Sequence, residues 1–173
     1  MAIQPNHGET NVNPAHEAAV RGLFHHLIER WNRGRGADFA AAFTEDGDLV
    51  AFDGTRFKGR EEIAPFHQQL FDKWMKGTLL VGQVQDVRFL SPDVALVHAV
   101  GSTIMKYKHE PSPERDSIQT LVATRQEDGE WRLAAFQNTR VRPIGRSAAA
   151  FLIWALSDWL WKAFRLNKRT AYE

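Results

Sequence analysis

The sequence predicts a single α+β domain in which helices gather on one side of a curved antiparallel sheet. Through most of residues 15–75, apolar side chains recur every three or four positions, the period of a helix with one buried face. Over residues 81–140, strand-like apolar runs alternate with turn residues instead. The 173 residues are 43% hydrophobic, which is enough apolar material for one sizeable core and too little for two. Helices and strands that are segregated along the chain around one core define the α+β class.

Three helices are predicted in the N-terminal half. The first spans residues 15–32, and six apolar side chains share one of its faces: Val20, Leu23, Phe24, Leu27, Ile28 and Trp31. The run 33–36, which holds two glycines, ends this helix, and a shorter one is predicted over residues 37–43. The third spans residues 60–75, with an apolar stripe formed by Ile63, Phe66, Leu70, Phe71 and Trp74. Pro65 lies close enough to the start of this helix to cost few backbone hydrogen bonds.

The strands are predicted from apolar runs bounded by turn residues. A turn over residues 45–48 precedes a short strand over residues 49–52, and a hairpin edge follows through Phe57. Four longer strands are predicted at residues 81–90, 94–105, 117–125 and 131–140. Short turns indicate that the first two and the last two of these form antiparallel hairpins, whereas the loop over residues 107–116 is longer.

Alternation along the last predicted strand assigns its side chains to two faces of the sheet. The face predicted to look inward carries Trp131, Leu133, Ala135 and Gln137. The face predicted to look outward carries Arg132, Ala134, Phe136 and Asn138. These assignments make Gln137 a candidate pocket residue and Phe136 a candidate for a dimer interface. A reversed register would exchange the two sets, because side chains alternate with a period of two residues.

Four local features, ordered along the chain, carry a family resemblance. They are Trp31-Asn32 at the end of helix one, Phe43-Thr44-Glu45-Asp46-Gly47-Asp48, Gly54 to Gly59 followed by Arg60-Glu61-Glu62-Ile63, and Asp128-Gly129-Glu130-Trp131 leading to Gln137-Asn138-Thr139. Over residues 15–142 the chain thereby resembles the nuclear-transport-factor-like superfamily, and within it the SnoaL-like small proteins of the SgcJ/EcaC type. The resemblance implies a cone-shaped fold whose interior opens beside the helices, usually homodimeric through the outer face of the sheet.

The resemblance implies two classes of function, because this superfamily carries unrelated activities on one fold. The first is a small-molecule-binding protein, or a cofactor-free isomerase, cyclase or dehydratase, that takes an apolar compound into an enclosed pocket. The second is a non-catalytic oligomerisation or accessory module similar to a kinase association domain. Ketosteroid isomerase needs a carboxylate base and an oxyanion hole made of a tyrosine and a protonated aspartate. The positions that align with these groups hold Ala51, Leu27 and Leu121, so steroid isomerisation is excluded.

Two ionisable residues are the candidate catalytic groups of such a pocket. His67 lies beside the apolar stripe of helix three, where an imidazole acts as a base or donor at the pocket mouth. The alternative is a half-exposed helix residue, since helical phase puts His67 at the edge of the stripe. Asp53, at the tip of the first strand, is a candidate general base near the mouth. Its alternative role is that of a turn residue before Gly54.

Six further residues are candidates for ligand binding. The resemblance implies that large aromatic side chains wall the cavity, in addition to their default place in a core, which selects Trp31, Phe66 and Trp74. Polar residues within otherwise apolar strands act as hydrogen-bonding groups among hydrophobic walls, which selects His98, Gln119 and Gln137. The alternative for the histidine is a satisfied core or interface position, and the alternative for the two glutamines is bonding across the sheet.

Composition argues against several other kinds of site. Cysteine is absent, which removes disulfides, thiol catalysis and thiolate metal sites. His25 and His26 are adjacent on helix one and point about 100° apart, so they do not chelate one ion together and no metal site is predicted. No phosphate-binding loop, nucleophile elbow or metalloprotease helix occurs, so no cofactor is predicted. Lysine and arginine nowhere form the dense field that nucleic acid binding requires.

Both ends of the chain are predicted to lie outside a domain of residues 15–143. Residues 1–14 are polar, which is typical of a disordered lead-in, and they lack the features of a secretory signal, so a cytoplasmic location is expected. Residues 144–173 are a basic tail in which residues 147–166 have the pattern of an amphipathic helix. Packing of this helix on the domain or on a partner subunit is favoured over binding to a membrane surface. The helix is too short and too polar to span a membrane.

Overall fold

Three α-helices form in the N-terminal half of the chain in the computed structural model, which describes residues 13–141 and Leu156. They are α1 (Pro14–Asn32), α2 (Gly36–Ala40) and α3 (Gly59–Lys73). The side-chain oxygen of Asn13 caps α1 by accepting the N–H of Ala15 at 3.0 Å, and Pro14 follows where a helix needs no donor. The first helix therefore begins one residue before its predicted start.

Six strands form one sheet within the described residues. They are β1 (Phe43–Val50), β2 (Arg56–Lys58), β3 (Leu79–Ser91), β4 (Val94–Ile104), β5 (Ser117–Arg125) and β6 (Trp131–Arg140). Their order across the sheet is β2-β1-β6-β5-β4-β3, and every neighbouring pair is antiparallel except β1 with β6. A short 3₁₀-helix, Pro113–Arg115, lies in the long loop before β5. The predicted α+β class, with helices packed over a curved sheet, is confirmed.

β1 begins at Phe43, where the sequence predicted the end of a helix and then a turn. This strand runs beside β6, with Phe43 opposite Leu133, and the pairing becomes irregular after that pair. Gly47 allows the close approach, because a Cβ atom there would lie 2.8 Å from the carbonyl oxygen of Leu133. The helix predicted over 37–43 was therefore wrong in extent, since α2 ends at Ala40. The turn predicted over 45–48 was wrong in kind, since these residues belong to β1. Pairing with a neighbouring strand outweighed the local preference of these residues.

The buried face of α3 is rotated relative to the predicted stripe. Ile63, His67 and Phe71 are 0%, 3% and 6% exposed, whereas Trp74 is 61% exposed. Residues four apart lie above one another on a helix, so these three side chains form one inward row. The helix continues through Pro65, as predicted. His67 consequently lies in the centre of the buried face and not at its edge.

A register shift in β6 decides which of its side chains face the core. Leu133 and Ala135 pair with consecutive residues of β5, so Ala134 is one extra residue on β6. Before the shift the faces are as predicted, with Trp131 and Leu133 buried.

Beyond the shift, the two faces of β6 exchange. Phe136 is buried at 9% exposure, and Gln137 is exposed. The predictions that Gln137 looks inward and that Phe136 looks outward were therefore wrong. One inserted residue turns every later side chain of a strand to the opposite face.

The core lies between the helices and the inner face of the sheet. Its largest almost fully buried side chains come from both halves of the chain and are Phe43, Leu27, Ile63, Leu121, Leu133, Val20 and Val97. They belong to one hydrophobic cluster, which joins the helices to the C-terminal meander.

Parts of both predicted ends lie outside the described residues. These parts are residues 1–12 of the lead-in and, in the tail, residues 144–173 with the exception of Leu156, which is helical. The amphipathic helix predicted over residues 147–166, and the choice between its packing and membrane-surface roles, fall there. Among the helices of the described segment, none has both the length and the apolarity that crossing a bilayer requires.

Candidate functional site

A cavity of about 290 Å³ lies between the helices and the inner face of the sheet. Its wall is largely apolar and includes Phe24, Leu27, Trp31, Phe39, Leu49, Phe66, Leu70 and Phe136. The three aromatic residues predicted to wall a cavity, Trp31, Phe66 and Trp74, all line it. An apolar concavity that carries a few polar groups is the usual form of a small-molecule site.

The mouth of the cavity combines exposed aromatic rings with charged groups. Phe52 and Trp74 are 56% and 61% exposed, and both line the cavity. The guanidinium group of Arg140 lies 4.5 Å from the centre of the Phe52 ring and donates to the carbonyl oxygen of Arg115 at 2.6 Å. These contacts hold a basic group against an aromatic rim.

His67 lies inside the cavity wall in a cage of aromatic rings. Its ring stacks on Phe39 with 4.2 Å between ring centres, and four further rings meet it at steeper angles: Trp31, Phe57, Phe66 and Phe71. Its Nδ1 atom lies 2.8 Å from the carbonyl oxygen of Ile63, one turn earlier on α3. A carbonyl oxygen only accepts, so Nδ1 carries the proton and Nε2 is left as an acceptor.

Burial lowers the pKa of His67 to about 4. Removal of the imidazolium from water is the main cause, and the hydrogen bond to the Ile63 carbonyl opposes it only in part. The imidazole is therefore neutral at pH 7. The cavity wall thus presents a hydrogen-bond acceptor and not a positive charge at this position.

Gln119 projects from β5 into the same cavity and is 3% exposed. The Ser117 hydroxyl donates to the carbonyl oxygen of Gly101 at 3.1 Å, which leaves the Ser117 oxygen free to accept from Gln119 Nε2 at 3.2 Å. This chain of bonds fixes which end of the amide faces the serine. Oε1 of Gln119 is left buried without a hydrogen-bond partner. Gln119 thus lines the cavity, and its role in ligand binding stays a prediction.

Asn138 is a cavity residue that the sequence did not indicate. It lies on β6 directly opposite Gln119, lines the cavity, and has a buried Oδ1 atom without a partner. The sequence assigned Asn138 to the outer face because nothing in it marks the register shift at Ala134. No glycine or proline, the residues that commonly mark such irregularities, lies within β6. Phe136 was missed for the same reason. The pairing of Gln119 on β5 with Asn138 on β6 would have pointed to both residues, but this pairing is known only once the strand register is known.

Asp53 lies on the cavity wall near Phe52, and its side chain is exposed. Its carboxylate accepts the backbone N–H of Thr55 at 3.0 Å, and this hydrogen bond is the main cause of its lowered pKa. A lowered pKa makes a carboxylate a weaker base. The contacts fit the turn role weighed for Asp53, and its role as a general base stays a prediction.

Two of the predicted ligand-binding residues do not line the cavity. His98 is half-buried on β4 between Val97 and Ala99, whose side chains are buried on the inner face, so His98 points to the outer face. Gln137 is exposed on the outer face of β6 for the reason given above. Both predictions assigned a polar residue to the inner face of the sheet, although the sequence alone does not show on which face the helices pack.

The positions considered for ketosteroid isomerase chemistry lie in or beside this cavity. Leu27 and Ala51 line it, and Leu121 is buried in the adjoining core at 1% exposure. All three side chains are apolar, so none of them supplies a carboxylate base or an oxyanion hole.

Two open grooves lie elsewhere on the described surface. One, of about 680 Å³, has polar and charged walls that include Glu45, Asp46 and Arg132. Arg60 also lines it and has a structural role, since its Nε donates to the carbonyl oxygen of Phe43 at 2.8 Å. The other groove, of about 610 Å³, lies on the outer face of β3, β4 and β5. Across residues 13–141, no group of three or more histidine, aspartate or glutamate side chains is placed to hold a metal ion.

Solved structures resemble this chain, whereas no protein-family model and no curated protein matches it. A domain of unknown function with a cystatin-like fold from Nostoc punctiforme is 37% identical, with a TM-score of 0.73, and the match covers 89% of this chain and 99% of that one. An NTF2-like protein with a cystatin-like fold from Novosphingobium aromaticivorans is 19% identical, with a TM-score of 0.60 and coverage of 79% and 86%.

A third similar structure is a ketosteroid isomerase-like protein from Erwinia carotovora atroseptica. It is 17% identical, with a TM-score of 0.57, and the match covers 73% of this chain and 96% of that one. At this identity, and at that of the Novosphingobium protein, the likeness concerns the fold and carries no statement about chemistry.

Proposed function

We propose that the chain, which belongs to the same family as the cystatin-like domain from Nostoc punctiforme, is a member of the nuclear-transport-factor-like superfamily. We further propose that it binds a small apolar molecule with an aromatic portion in the cavity between its helices and its sheet. The observation that carries the proposal is the cavity of about 290 Å³, walled by rings and aliphatic side chains. Each Å² of apolar ligand surface removed from water there contributes about 25 cal/mol. The ordered motifs of the sequence support a place among the SgcJ/EcaC-type, SnoaL-like members.

The open cavity supports ligand binding over the alternative of a non-catalytic oligomerisation module. Protein interiors are close-packed and hold few voids larger than a water molecule. The rings of Trp31, Phe39 and Phe66 line the cavity, so a ligand bound there would gain contacts with all three. A module whose interior has no ligand to receive would gain stability by filling it with its own side chains.

The neutral state of the His67 imidazole favours a role in binding a ligand through a hydrogen bond over a role in proton transfer. With a pKa of about 4, its Nε2 atom is a weak base at neutral pH, although it accepts hydrogen bonds. The enzymatic form of the proposal, a cofactor-free isomerase, cyclase or dehydratase, therefore requires a ligand that raises this pKa, for example through a negative charge next to the ring.

Native mass spectrometry of gently purified protein tests the proposal. We expect a small molecule to accompany the wild-type chain and to be lost in Ala51→Phe, because Ala51 lines the cavity and the added ring would occupy it. The matched control is Ala134→Phe, which adds the same ring in the polar groove outside the cavity. Wild-type protein that emerges empty and takes up neither 1-naphthol nor naphthalene in a titration would contradict the proposal.

A further inference from the structure

Gln119 presents a buried acceptor to the cavity, and its surroundings fix that orientation. A Cβ atom on Gly101 would lie 2.7 Å from Gln119 Nε2, so the glycine makes room for the amide on one side. Ser117 holds the same nitrogen from β5 itself through the 3.2 Å bond. Held in this way, the amide directs its nitrogen toward protein groups and leaves Oε1 without a donor.

A buried acceptor without a donor is an uncommon feature of a native protein, because it has lost its bond to water and gained nothing in return. Two residues at directly paired strand positions carry such an oxygen here, Gln119 and its cross-strand partner Asn138. Both residues line the cavity, as does His67 with its unprotonated Nε2 atom. These three groups therefore offer acceptor atoms to the cavity, whose wall also includes the arginine side chains of Arg115 and Arg140.

We propose that the cavity selects aromatic ligands that carry a hydroxyl or N–H group, which donates its hydrogen to Gln119 Oε1. The chemical class is that of phenols and aromatic amines, as opposed to hydrocarbons, ethers and ketones. This inference rests on the proposed function, since the ligand must first occupy the cavity. An ionised carboxylate has no hydrogen to donate to Oε1 and so makes no hydrogen bond at this position.

A ligand with a donor removes the penalty of the unpaired oxygen, whereas an ether of the same shape leaves it in place. Sites built to hydrogen-bond a hydroxyl reject analogues that lack it more strongly than apolar pockets reject a change in size. We therefore expect 1-naphthol to bind the wild-type protein at least about tenfold more tightly than 1-methoxynaphthalene. Isothermal titration of the full chain with the two probes measures this ratio.

Gln119→Met removes the acceptor while keeping a side chain of similar length, and we expect it to reduce the ratio to below about threefold. Gln137→Met is the matched control, because it makes the same change on the outer face of β6 and should keep the wild-type ratio. Equal affinity of the wild-type protein for naphthol and its methyl ether would overturn the inference and leave the proposed function standing.

The remaining outcomes separate the two proposals. If neither probe binds and no molecule accompanies the purified chain, the proposed function fails and the inference fails with it. If Gln119→Met does not fold, the wild-type comparison of the two probes still decides the inference, since it needs no variant. A preference for naphthol that survives in a folded Gln119→Met protein would also overturn the assignment to Gln119.

Discussion

Burial of His67 among aromatic rings links the stability of the protein to pH. The pKa of this side chain is about 4 in the folded chain, below the value of 6.5 for an ordinary histidine, because desolvation penalises the imidazolium. Between these two values the unfolded chain binds a proton that the folded chain does not. Stability therefore falls as the pH falls from 6.5 toward 4, and this contribution levels off below that range.

We expect the free energy of unfolding to decrease through this one group by on the order of 3 kcal/mol across that window. His67→Gln removes the ionisable ring and should flatten this part of the pH profile, as measured by urea unfolding at several pH values. His98→Gln, on the outer face of β4, is the control and should keep the wild-type slope. Identical slopes for the wild-type protein and His67→Gln would show that His67 is not the group responsible.

At the scale of secondary structure, the contact between α2 and α3 depends on a glycine. A Cβ atom on Gly36 would lie 2.2 Å from the carbonyl oxygen of Ala64 and 2.6 Å from the backbone nitrogen of Gln68. The side chain of Gln68 also accepts the Gly36 N–H at 2.9 Å. The Ala64 oxygen and the Gln68 nitrogen both belong to the backbone of α3, so neither is the end of a flexible side chain that could move away. The two helices therefore approach this closely only because residue 36 has no side chain.

Gly36→Ala should destabilise the protein by roughly 1–3 kcal/mol or more, because the helices must separate to admit the methyl group. The matched change Gly22→Ala on α1 meets nothing within 4 Å and should raise stability by up to about 1 kcal/mol, since alanine is the better helix former. Thermal unfolding of both variants measures the contrast. A Gly36→Ala protein that melts at or above the wild-type temperature would contradict the close helix contact.

At the scale of the whole molecule, the outer face of the sheet carries exposed apolar side chains. Val81 and Ile118 are 37% and 47% exposed, and both line the outer groove together with Val100. An antiparallel sheet with apolar residues on both faces is stabilised by cover on both. We therefore propose a homodimer through this face, as the family resemblance implied. Phe136 takes no part in it, because that ring faces the core.

Ile118→Lys should shift the protein from dimer to monomer in light scattering at micromolar concentration, because a charge placed in a self-complementary interface meets its own copy. Trp74→Lys makes a comparable change at an exposed aromatic residue on the helical side and should leave the mass unchanged. A wild-type protein that is monomeric and folded at this concentration would remove the proposed dimer.

Sequence alone determined much of the secondary structure and part of the site. Period and turn residues placed β5 and β6 at residues 117–125 and 131–140, and the observed strands have the same bounds. Hydrophobic periodicity is a local property, so a continuous chain displays it before any tertiary contact forms. The polar interruption of an apolar strand, also a local signal, selected Gln119 as a cavity residue, whereas Trp31 and Phe66 were selected by what the family resemblance implies.

Only the tertiary structure decided which face of β6 looks inward beyond Ala134 and how deeply His67 is buried. The extra residue in β6 is accommodated by pairing with β5, and it exchanges Gln137 for Phe136 and Asn138 in the cavity wall. His67 is 3% exposed because rings from α1 and α2 pack around it. The spacing of apolar residues along α3 does not predict these contacts, since they come from other helices. Both outcomes depend on contacts between segments far apart in the chain, and such contacts leave no trace in the local pattern of residue types.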